Sequence, residues 1–239
     1  MTENSEDRLI IVIPAYNEES NLEEVVRQWH PVAQRSGKNS RLFIIDDGST
    51  DGSWKLLGGL MRQYPCLRAV HKENQGHGAT VLYGYRCALA EGADYVFQTD
   101  SDGQTDPADF DKLWKERGRG GLLIGSRVHR MDGWQRVLVT RTLRAVIRVI
   151  FGCRTEDANT PFRLMRADQL EQVIRKIPEN HPLANVLMTV IYIRSGMGVT
   201  YYPIFFGPRR GGKNSLNMKK IVRIGLHAVR DFRNLRKTL

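Results

Sequence analysis

Short apolar segments alternate with helical segments along the first half of the chain, and this alternation limits the possible folds more than any other feature. Because most of these apolar runs are continuous, they predict strands that are buried on both faces of a sheet. The predicted strands are "RLIIVIP" (8–14), "RLFII" (41–45), "LRAV" (67–70), "YVFQT" (95–99) and "GLLIG" (121–125). Strands that alternate with helices predict a parallel sheet covered by helices on both faces.

The predicted helices begin at signals in the sequence. Ser20 and Glu23 have the spacing of a capping box, so a helix is predicted over the segment "LEEVVRQWHPVAQR" that follows. Three further helices are predicted from about Gly52 to Gln63, from Gly78 to Glu91 and from Pro107 onward. Each of them lies between two predicted strands, as a parallel sheet requires.

Acids and amides follow three of the predicted strands, in "PAYNEE" (14–19), "DDGSTD" (46–51) and "TDSDGQ" (99–104). Ligands of such sheets bind beyond the carboxyl ends of the strands, so these motifs are predicted to share one edge. Asp100 and Asp102 can both approach a metal only if the chain turns, which Gly103 allows. Mg²⁺ and Mn²⁺ are typically held by one or two carboxylates plus substrate phosphates. The segment therefore predicts a site for a metal diphosphate, although an isolated pair of acids can also merely cap a helix.

Charge is unevenly divided along the 239 residues. Residues 1–110 contain 10 Lys and Arg against 17 Asp and Glu, whereas residues 111–239 contain 26 against 9. A basic half of this kind fits nucleic acid, an anionic membrane surface or a phosphorylated substrate. The hydrophobic content of 41% is enough for one globular core.

Several absences in the sequence bear on location. The amino terminus, "MTENSEDRL", lacks the basic and then apolar order of a signal peptide. The longest stretch of the second half without Asp, Glu, Lys or Arg, Asn180 to Ile193, is shorter than the ~20 residues of a transmembrane helix. We therefore expect a cytoplasmic protein. Cys66, Cys87 and Cys153 form no C-x-x-C pair, so neither a disulfide framework nor a zinc site is predicted.

Six segments between about residues 9 and 215 follow one another in a recognisable order. They are "IVIPAYNEESNL", "FIIDDGSTDGS", "NQGHGATVLYGYRCALAEGADYVFQTDSDGQTDP", "LLIGSR", "EDANTPFRLMR" and "PRRGGKNS". The ordered set resembles the GT-A glycosyltransferases of family 2, and within them the polyprenyl-phosphate sugar synthases that are similar to dolichyl-phosphate mannose synthase. The resemblance implies an α/β fold, the GT-A fold, with a Rossmann-like, mostly parallel sheet flanked by helices.

The resemblance also implies a nucleotide pocket. Its residues would be Pro14, Ala15, Tyr16, Asn17 and Glu18 at the edge, Asp46 and Asp47 beside the base or ribose, Gln75 and Gly76 in a loop, and Asp100. Carboxylates accept hydrogen bonds from ribose hydroxyls and base N–H groups, and glycine lets backbone N–H groups approach a ligand. Asp47 could instead cap the following helix, and the glycines beside His77 could form a simple turn. No chemistry is assigned to His77.

The resemblance also implies which residues bind a metal ion and which bind phosphate groups. Asp100 and Asp102 match the D-x-D motif that binds Mg²⁺ or Mn²⁺ and the donor diphosphate, with Gln104 as a neighbouring metal or sugar contact. The cations expected at the acceptor phosphate are Arg127, Arg163, Arg209, Arg210 and Lys213. The expected catalytic residues are Asp102, Arg127 and Arg163. Pro161 replaces the glycine that the family has in the segment "TPFR", so the direction of Arg163 is left open, and each arginine alone could be a solvated surface charge.

Together these features predict an inverting enzyme that transfers a hexose from UDP- or GDP-hexose to polyprenyl phosphate. A phosphomonoester carries ~1.5 to 2 negative charges at neutral pH and therefore needs no general base. One alternative, a family 2 enzyme that glycosylates a hydroxyl of a surface glycan or glycolipid, needs a base such as Asp157. A second alternative is a non-enzymatic binder of nucleic acid or anionic membrane. Because the basic half lacks the aromatic-rich surface of single-strand binders, no nucleic-acid partner is expected.

Two basic amphipathic helices are predicted in the second half. In residues 136–152 the apolar stripe is Val139, Leu143, Val146, Ile147 and Ile150, opposite Arg141, Arg144 and Arg148. The second lies in residues 216–239, so we expect a GT-A domain at 1–215 followed by a basic carboxyl-terminal helix. Such helices lie on a membrane surface, pack on the core or contact another subunit, which leaves the oligomeric state open. We expect peripheral association with the cytoplasmic face of a membrane, directly or through a membrane-protein partner.

Overall fold

The computed structural model describes residues 6–127 and 134–207. Strands β1 to β7 are Leu9–Ala15, Arg41–Asp46, Leu67–His71, Tyr95–Gln98, Leu122–Arg127, Arg163–Arg166 and Val199–Ile204. Helices α1 to α7 are Glu19–Ser36, Ser53–Gln63, His77–Ala90, Pro107–Lys115, Trp134–Phe151, Ala167–Ile174 and Ala184–Arg194. A short 3-10 helix, Arg117–Arg119, follows α4.

The strands form one sheet in the order β3-β2-β1-β4-β6-β5-β7. β6 runs antiparallel to both of its neighbours, β4 and β5, while the other strands run in one direction. β1 is central, and all seven of its residues are buried, as expected for a continuous apolar run. The predicted α/β architecture with a mostly parallel sheet is therefore confirmed.

Helices cover both faces of this sheet. On one face α1, α2 and α4 enclose a cluster of rings that includes Trp29, Phe97 and Phe162, with the Phe97 and Phe162 centroids 4.7 Å apart. On the other face α3, α5, α6 and α7 contribute to a second core. Gly84 of α3 lies so close to β1 that a Cβ there would be 2.5 Å from Val12 Cγ1. Burial of a large apolar side chain contributes ~1.5 to 3 kcal/mol to folding stability, so the two cores fix the positions of the strand ends from which the loops extend.

Two helix starts differ in how well the sequence predicted them. α1 begins at Glu19, which places Ser20 inside the helix, so the predicted capping box of Ser20 and Glu23 is wrong. α4 begins at Pro107 as predicted. The Asp106 carboxylate caps it by accepting a hydrogen bond from the Ala108 backbone N–H at 2.8 Å.

The first basic amphipathic helix corresponds to α5. Its apolar residues Leu143, Val146, Ile147 and Ile150 pack in or against the core, and its arginines Arg141, Arg144 and Arg148 are exposed. The apolar stripe therefore packs on the protein itself, which was one of the predicted alternatives. The side chain of Val139 and the predicted helix at 216–239 lie outside the described residues. Within the described ranges, no helix is both long and apolar enough to cross a bilayer.

Candidate active site

One edge of the sheet gathers the polar loops that follow the parallel strands. The registers align Ala15 with Asp46 and Asp46 with His71, so the ends of β1, β2 and β3 lie side by side. β4 ends next to β1, and the antiparallel β6 begins at the same edge. We call this edge, formed by residues 16–18, 46–50, 71–77, 99–104 and 127, the carboxyl edge. The prediction that the three acidic motifs share one edge is confirmed.

Asn17 holds the first two loops of the carboxyl edge together. Its φ of 53° lies in the left-handed region, which asparagine tolerates better than most residues. Its Oδ1 accepts a hydrogen bond from the Thr50 backbone N–H at 2.8 Å, and its own N–H donates to Ser49 Oγ at 2.9 Å. The side chain of Asn17 therefore fixes loop geometry.

The predicted pocket edge at 14–18 contains one strongly exposed ring. Pro14 and Ala15 are buried in β1. The buried Glu18 carboxylate accepts a hydrogen bond from Asn21 Nδ2 at 2.6 Å. Tyr16, in contrast, is 47% exposed, so its ring is the surface that this segment offers to a ligand.

Asp46 is not placed to contact a base or ribose directly. It is completely buried, one carboxylate oxygen accepts from Ser49 Oγ, and the other lies 2.5 Å from His71 Nδ1. The expected direct contact is therefore corrected, because both oxygens are occupied inside the protein. Sequence reasoning missed His71, although its position at the end of a predicted strand was a signal that could have identified it.

Asp47 organises the loop before α3. Its carboxylate pairs with Lys72 and accepts from the backbone N–H groups of Gln75 and Gly76, both at 2.9 Å. The expectation that these two N–H groups approach the nucleotide is therefore corrected, since Asp47 occupies them. The alternative that Asp47 caps α2 is also excluded, because Asp51 accepts from the Ser53 N–H in that first turn.

The surroundings of Asp47 change its acidity. Burial alone would raise the pKa of its carboxyl, but the bond from Lys72 and the backbone bond from Gln75 outweigh burial and lower the pKa below its usual value. A carboxyl whose pKa is lower in the folded state stabilises the fold above its unfolded pKa of about 3.9. That contribution is lost as the pH falls through the folded pKa.

We therefore expect the free energy of unfolding, measured by urea titration, to decrease between about pH 5 and about pH 3, and Asp47→Asn to reduce this dependence. Asp111→Asn serves as the control, because Asp111 forms a surface pair with Arg35 in which both side chains are more than 40% exposed. An unchanged pH dependence in Asp47→Asn would show that the stabilisation has another source.

The D-x-D carboxylates occupy the turn after β4. Gly103, which follows Asp102, has φ 69°, so the glycine supplies the predicted turn directly after the two acids. Asp100 Oδ1 lies 3.1 Å from His77 Nε2, and Asp102 Oδ1 accepts from the Gln104 backbone N–H at 3.2 Å. Partial desolvation disfavours the charged form of His77, whose side chain is 52% exposed, but the carboxylates of Asp100 and Asp102 outweigh it and raise the pKa of His77. The two acids that the sequence assigns to the donor therefore favour the charged form of this imidazole.

The oxygen ligands of this turn fit a divalent cation. Gln104 Nε2 donates to the Gly207 carbonyl at 2.7 Å, which leaves Oε1 as the atom able to coordinate a metal. In the described part of the chain, no three His, Cys, Asp or Glu side chains gather into a metal-binding group. Two carboxylates and an amide oxygen suit Mg²⁺ or Mn²⁺, which keep waters and share substrate phosphates. The residues therefore fit a cation that binds together with a nucleoside diphosphate.

Arg127 ends β5 at the carboxyl edge, where it forms an ion pair. Its Nε and Nη2 donate to the two oxygens of Asp157 at 2.8 and 3.1 Å, in the bidentate geometry typical of arginine and carboxylate. The Asp157 side chain is 3% exposed and that of Arg127 is 15% exposed. The guanidinium also lies 5.2 Å from the centre of the Phe206 ring. The Nη1 group of Arg127 is not part of the pair with Asp157.

Arg163 is buried beneath the carboxyl edge. Its side chain is fully buried, and its guanidinium donates four hydrogen bonds to backbone carbonyls. The acceptors are Thr160 at 3.1 and 2.8 Å, Asn185 at 3.1 Å and Ala158 at 3.1 Å. The expected contact with a phosphate is therefore corrected to a positioning role, because the guanidinium has no accessible surface. Arg209, Arg210 and Lys213 lie outside the described residues.

Comparison with known proteins identifies sequence relatives over most of the chain. The family described as glycosyl transferase family 2 matches residues 10–164. The polyprenol monophosphomannose synthase of Mycolicibacterium smegmatis is 26% identical over 223 residues, which are 90% of this chain and 83% of that protein. The undecaprenyl-phosphate mannosyltransferase of Micrococcus luteus is 25% identical over 217 residues, which are 88% of each.

Solved structures are similar in fold. The glucosyl-3-phosphoglycerate synthase of Mycobacterium tuberculosis in complex with UDP superposes with a TM-score of 0.69 at 19% identity, over 97% of this chain and 80% of that one. The same enzyme with Mn²⁺ and UDP-glucose gives 0.69 at 20% identity, over 95% and 79%. The predicted GT-A fold is thereby confirmed.

Proposed function

The chain belongs to glycosyltransferase family 2, and on this premise we propose that it transfers a hexose from a UDP- or GDP-sugar to polyprenyl phosphate, with inversion at the anomeric carbon. The names of the two relatives described above refer to polyprenol monophosphomannose and to undecaprenyl phosphate, which supports a lipid phosphate as the acceptor.

The bidentate pair of Arg127 and Asp157 is the observation that favours a phosphate over a hydroxyl acceptor. Transfer to a hydroxyl needs a base within reach of the acceptor, and Asp157 was the carboxylate expected for that task. Here both Asp157 oxygens bind Arg127 and the side chain is almost fully buried. A carboxylate held in this way is a poor base. A phosphate acceptor, which is already ionised, does not require one.

The donor side is assigned to the turn after β4. We propose that Asp100, Asp102 and Gln104 Oε1 hold a divalent cation together with the donor diphosphate. When bound, the cation would neutralise negative charge on the departing nucleoside diphosphate. The exposed ring of Tyr16 lies on the same edge and offers a surface to the nucleotide.

The acceptor phosphate is assigned to arginine and lysine side chains. An oxygen of the acceptor phosphate attacks the anomeric carbon while the bond from that carbon to the diphosphate oxygen breaks, so the nucleoside diphosphate leaves with the bonding electrons. Attack from the opposite face inverts the anomeric carbon. Arg127, through Nη1, is proposed to offset the repulsion between the two anions. Arg209 and Lys213, in a segment that follows β7, are proposed to share this task.

The enzyme is proposed to work at a membrane surface as a GT-A domain at 1–215 with a basic helix at 216–239. The exposed Arg141, Arg144 and Arg148 of α5 support this arrangement. Each basic residue near an anionic lipid surface contributes about 1 kcal/mol to binding. Several such residues hold an enzyme beside its lipid substrate.

The decisive experiment combines the full chain with Mg²⁺ or Mn²⁺, labelled UDP- and GDP-hexoses, and a short polyprenyl phosphate. We expect label from one donor to become extractable into organic solvent and to be released by mild acid, because glycosyl phosphates are acid-labile. Asp157→Asn serves as the parallel variant: its turnover with lipid phosphate is expected to fall about tenfold or less, whereas loss of a general base costs ~100-fold or more. Acid-stable product on a glycan would instead support the hydroxyl acceptor.

A further inference from the structure

Four side chains at the outer part of the carboxyl edge form a linked group. The buried Asp46 carboxylate lies 2.5 Å from His71 Nδ1 through Oδ2, and its other oxygen accepts from Ser49. The Trp54 ring, from the first turn of α2, covers the imidazole with a centroid separation of 5.1 Å and an interplanar angle of 40°. A hydrogen bond and a ring contact therefore fix the orientation of one imidazole, although its side chain is 45% exposed.

This arrangement selects one tautomer of His71. Because a carboxylate only accepts hydrogen bonds, Nδ1 must be the donor in its contact with Asp46. In a neutral imidazole the other nitrogen, Nε2, is then an acceptor. A buried carboxylate that serves to orient an exposed ring nitrogen is a usual way of presenting a polar group to a ligand.

The position of His71 suggests which part of a ligand it meets. β3 is separated from β4 by β2 and β1, so by strand spacing His71 lies about 14 Å from Asp100 along the carboxyl edge. With the diphosphate at Asp100, as proposed above, a nucleotide that lies along this edge directs its base toward the ends of β2 and β3. The rings of Tyr16 and Trp54, which are 47% and 38% exposed, offer apolar surface in the same region.

We propose that His71 reads the base of the donor nucleotide: Nε2 accepts a hydrogen bond from a ring N–H of uracil or guanine, while Asp46 positions the imidazole. The inference rests on the proposed function and adds a specificity-determining residue to it. Because Asp46 holds Nε2 as a hydrogen-bond acceptor, Nε2 suits a neutral N–H donor of a base. It disfavours a phosphate, whose ionised oxygens only accept hydrogen bonds. Asp46, although inaccessible, thus influences donor choice through His71.

The test uses two variants of the full chain and calorimetric binding in the presence of Mn²⁺. In His71→Asn the amide can replace Nδ1 as the donor to Asp46, but no atom takes the position of Nε2. In His71→Gln the amide reaches the position of Nε2. The probes are UDP, GDP and pyrophosphate, which lacks a base. We expect His71→Asn to bind the preferred nucleotide about tenfold more weakly and pyrophosphate unchanged, and His71→Gln to recover part of the affinity.

Base methylation provides a test on the wild-type protein. A methyl group on N3 of UDP, or on N1 of GDP, removes the proposed donor, and we expect it to weaken binding to wild type about tenfold and to His71→Asn much less. Two results would overturn the role of His71 and leave the proposed function standing. One is equal affinity of wild type for the methylated and unmethylated nucleotide, and the other is a loss of affinity in His71→Asn that extends to pyrophosphate. Binding of neither UDP nor GDP to wild type would overturn the proposed function as well.

Discussion

Replacing Asp102 with asparagine is expected to reduce sugar transfer by about a thousandfold or more. The substitution keeps the size of the side chain and an oxygen that can accept from the Gln104 N–H, so the turn after β4 should persist. It removes the negative charge that would hold a divalent cation against the donor diphosphate. Charge stabilisation by a single well-placed group is commonly worth ~100-fold to 1,000-fold, and metal ligation contributes several kcal/mol.

The same substitution at Asp106 provides a matched control. Asp106 lies four residues away in the same segment, and its exposed carboxylate caps α4 through the Ala108 N–H. Asp106→Asn should change stability by at most about 1 kcal/mol and leave turnover near wild type. Transfer rates and Mn²⁺ affinity with bound nucleoside diphosphate should be measured for both variants. More than about a tenth of wild-type turnover in Asp102→Asn would count strongly against the assigned metal site.

Asp100 and Asp102 carry this expectation because they match the D-x-D motif, whereas Asp46, Asp47 and Asp157 are buried in contacts within the protein. Asp46 binds His71, Asp47 binds Lys72, and Asp157 binds Arg127. The acidic first half of the sequence therefore does not supply a uniformly acidic site. A count of charges measures composition, whereas the field at a site depends on which charges remain uncompensated.

The architecture was predictable because its signals are local. The continuous apolar run of β1 predicts a strand buried on both faces, and Gly103 directly after the two acids predicts a turn. The Pro107 helix start is likewise encoded by adjacent residues. Such features depend on a few neighbouring side chains and backbone angles, so the sequence is sufficient to infer them.

The corrections involve partners that are distant in the sequence. Asp46 and His71 are 25 residues apart, and their contact depends on the register of β2 with β3. β6 inserts antiparallel between β4 and β5, which places Arg163 opposite Gln98 and turns it into the interior. The segment "PFRLMR" alone contains no indication of which strands flank it. A buried arginine and an exposed one therefore look the same in the sequence.

Replacing Arg163 with methionine is expected to lower the free energy of unfolding by about 3 to 5 kcal/mol. The guanidinium donates to the buried carbonyls of Ala158, Thr160 and Asn185, and methionine would fill similar space without any donor. The Thr160 carbonyl would lose both bonds from Arg163, whereas the Ala158 and Asn185 carbonyls would still accept from Thr189 Oγ1. A buried carbonyl that loses its donors costs ~1 to 3 kcal/mol. For a chain of this size, the melting temperature should fall by roughly 6 to 20 °C, which thermal unfolding followed by circular dichroism can measure.

Arg166→Met on the same strand distinguishes a structural role from a general effect of losing an arginine. Arg166 is exposed and pairs at 2.8 Å with Asp168, so its replacement should cost at most about 1 kcal/mol. A phosphate-binding role would give Arg163→Met a nearly normal melting temperature and a higher KM for polyprenyl phosphate. The buried hydrogen bonds predict the reverse: a large loss of stability, with KM little changed for the enzyme that remains folded below its melting temperature.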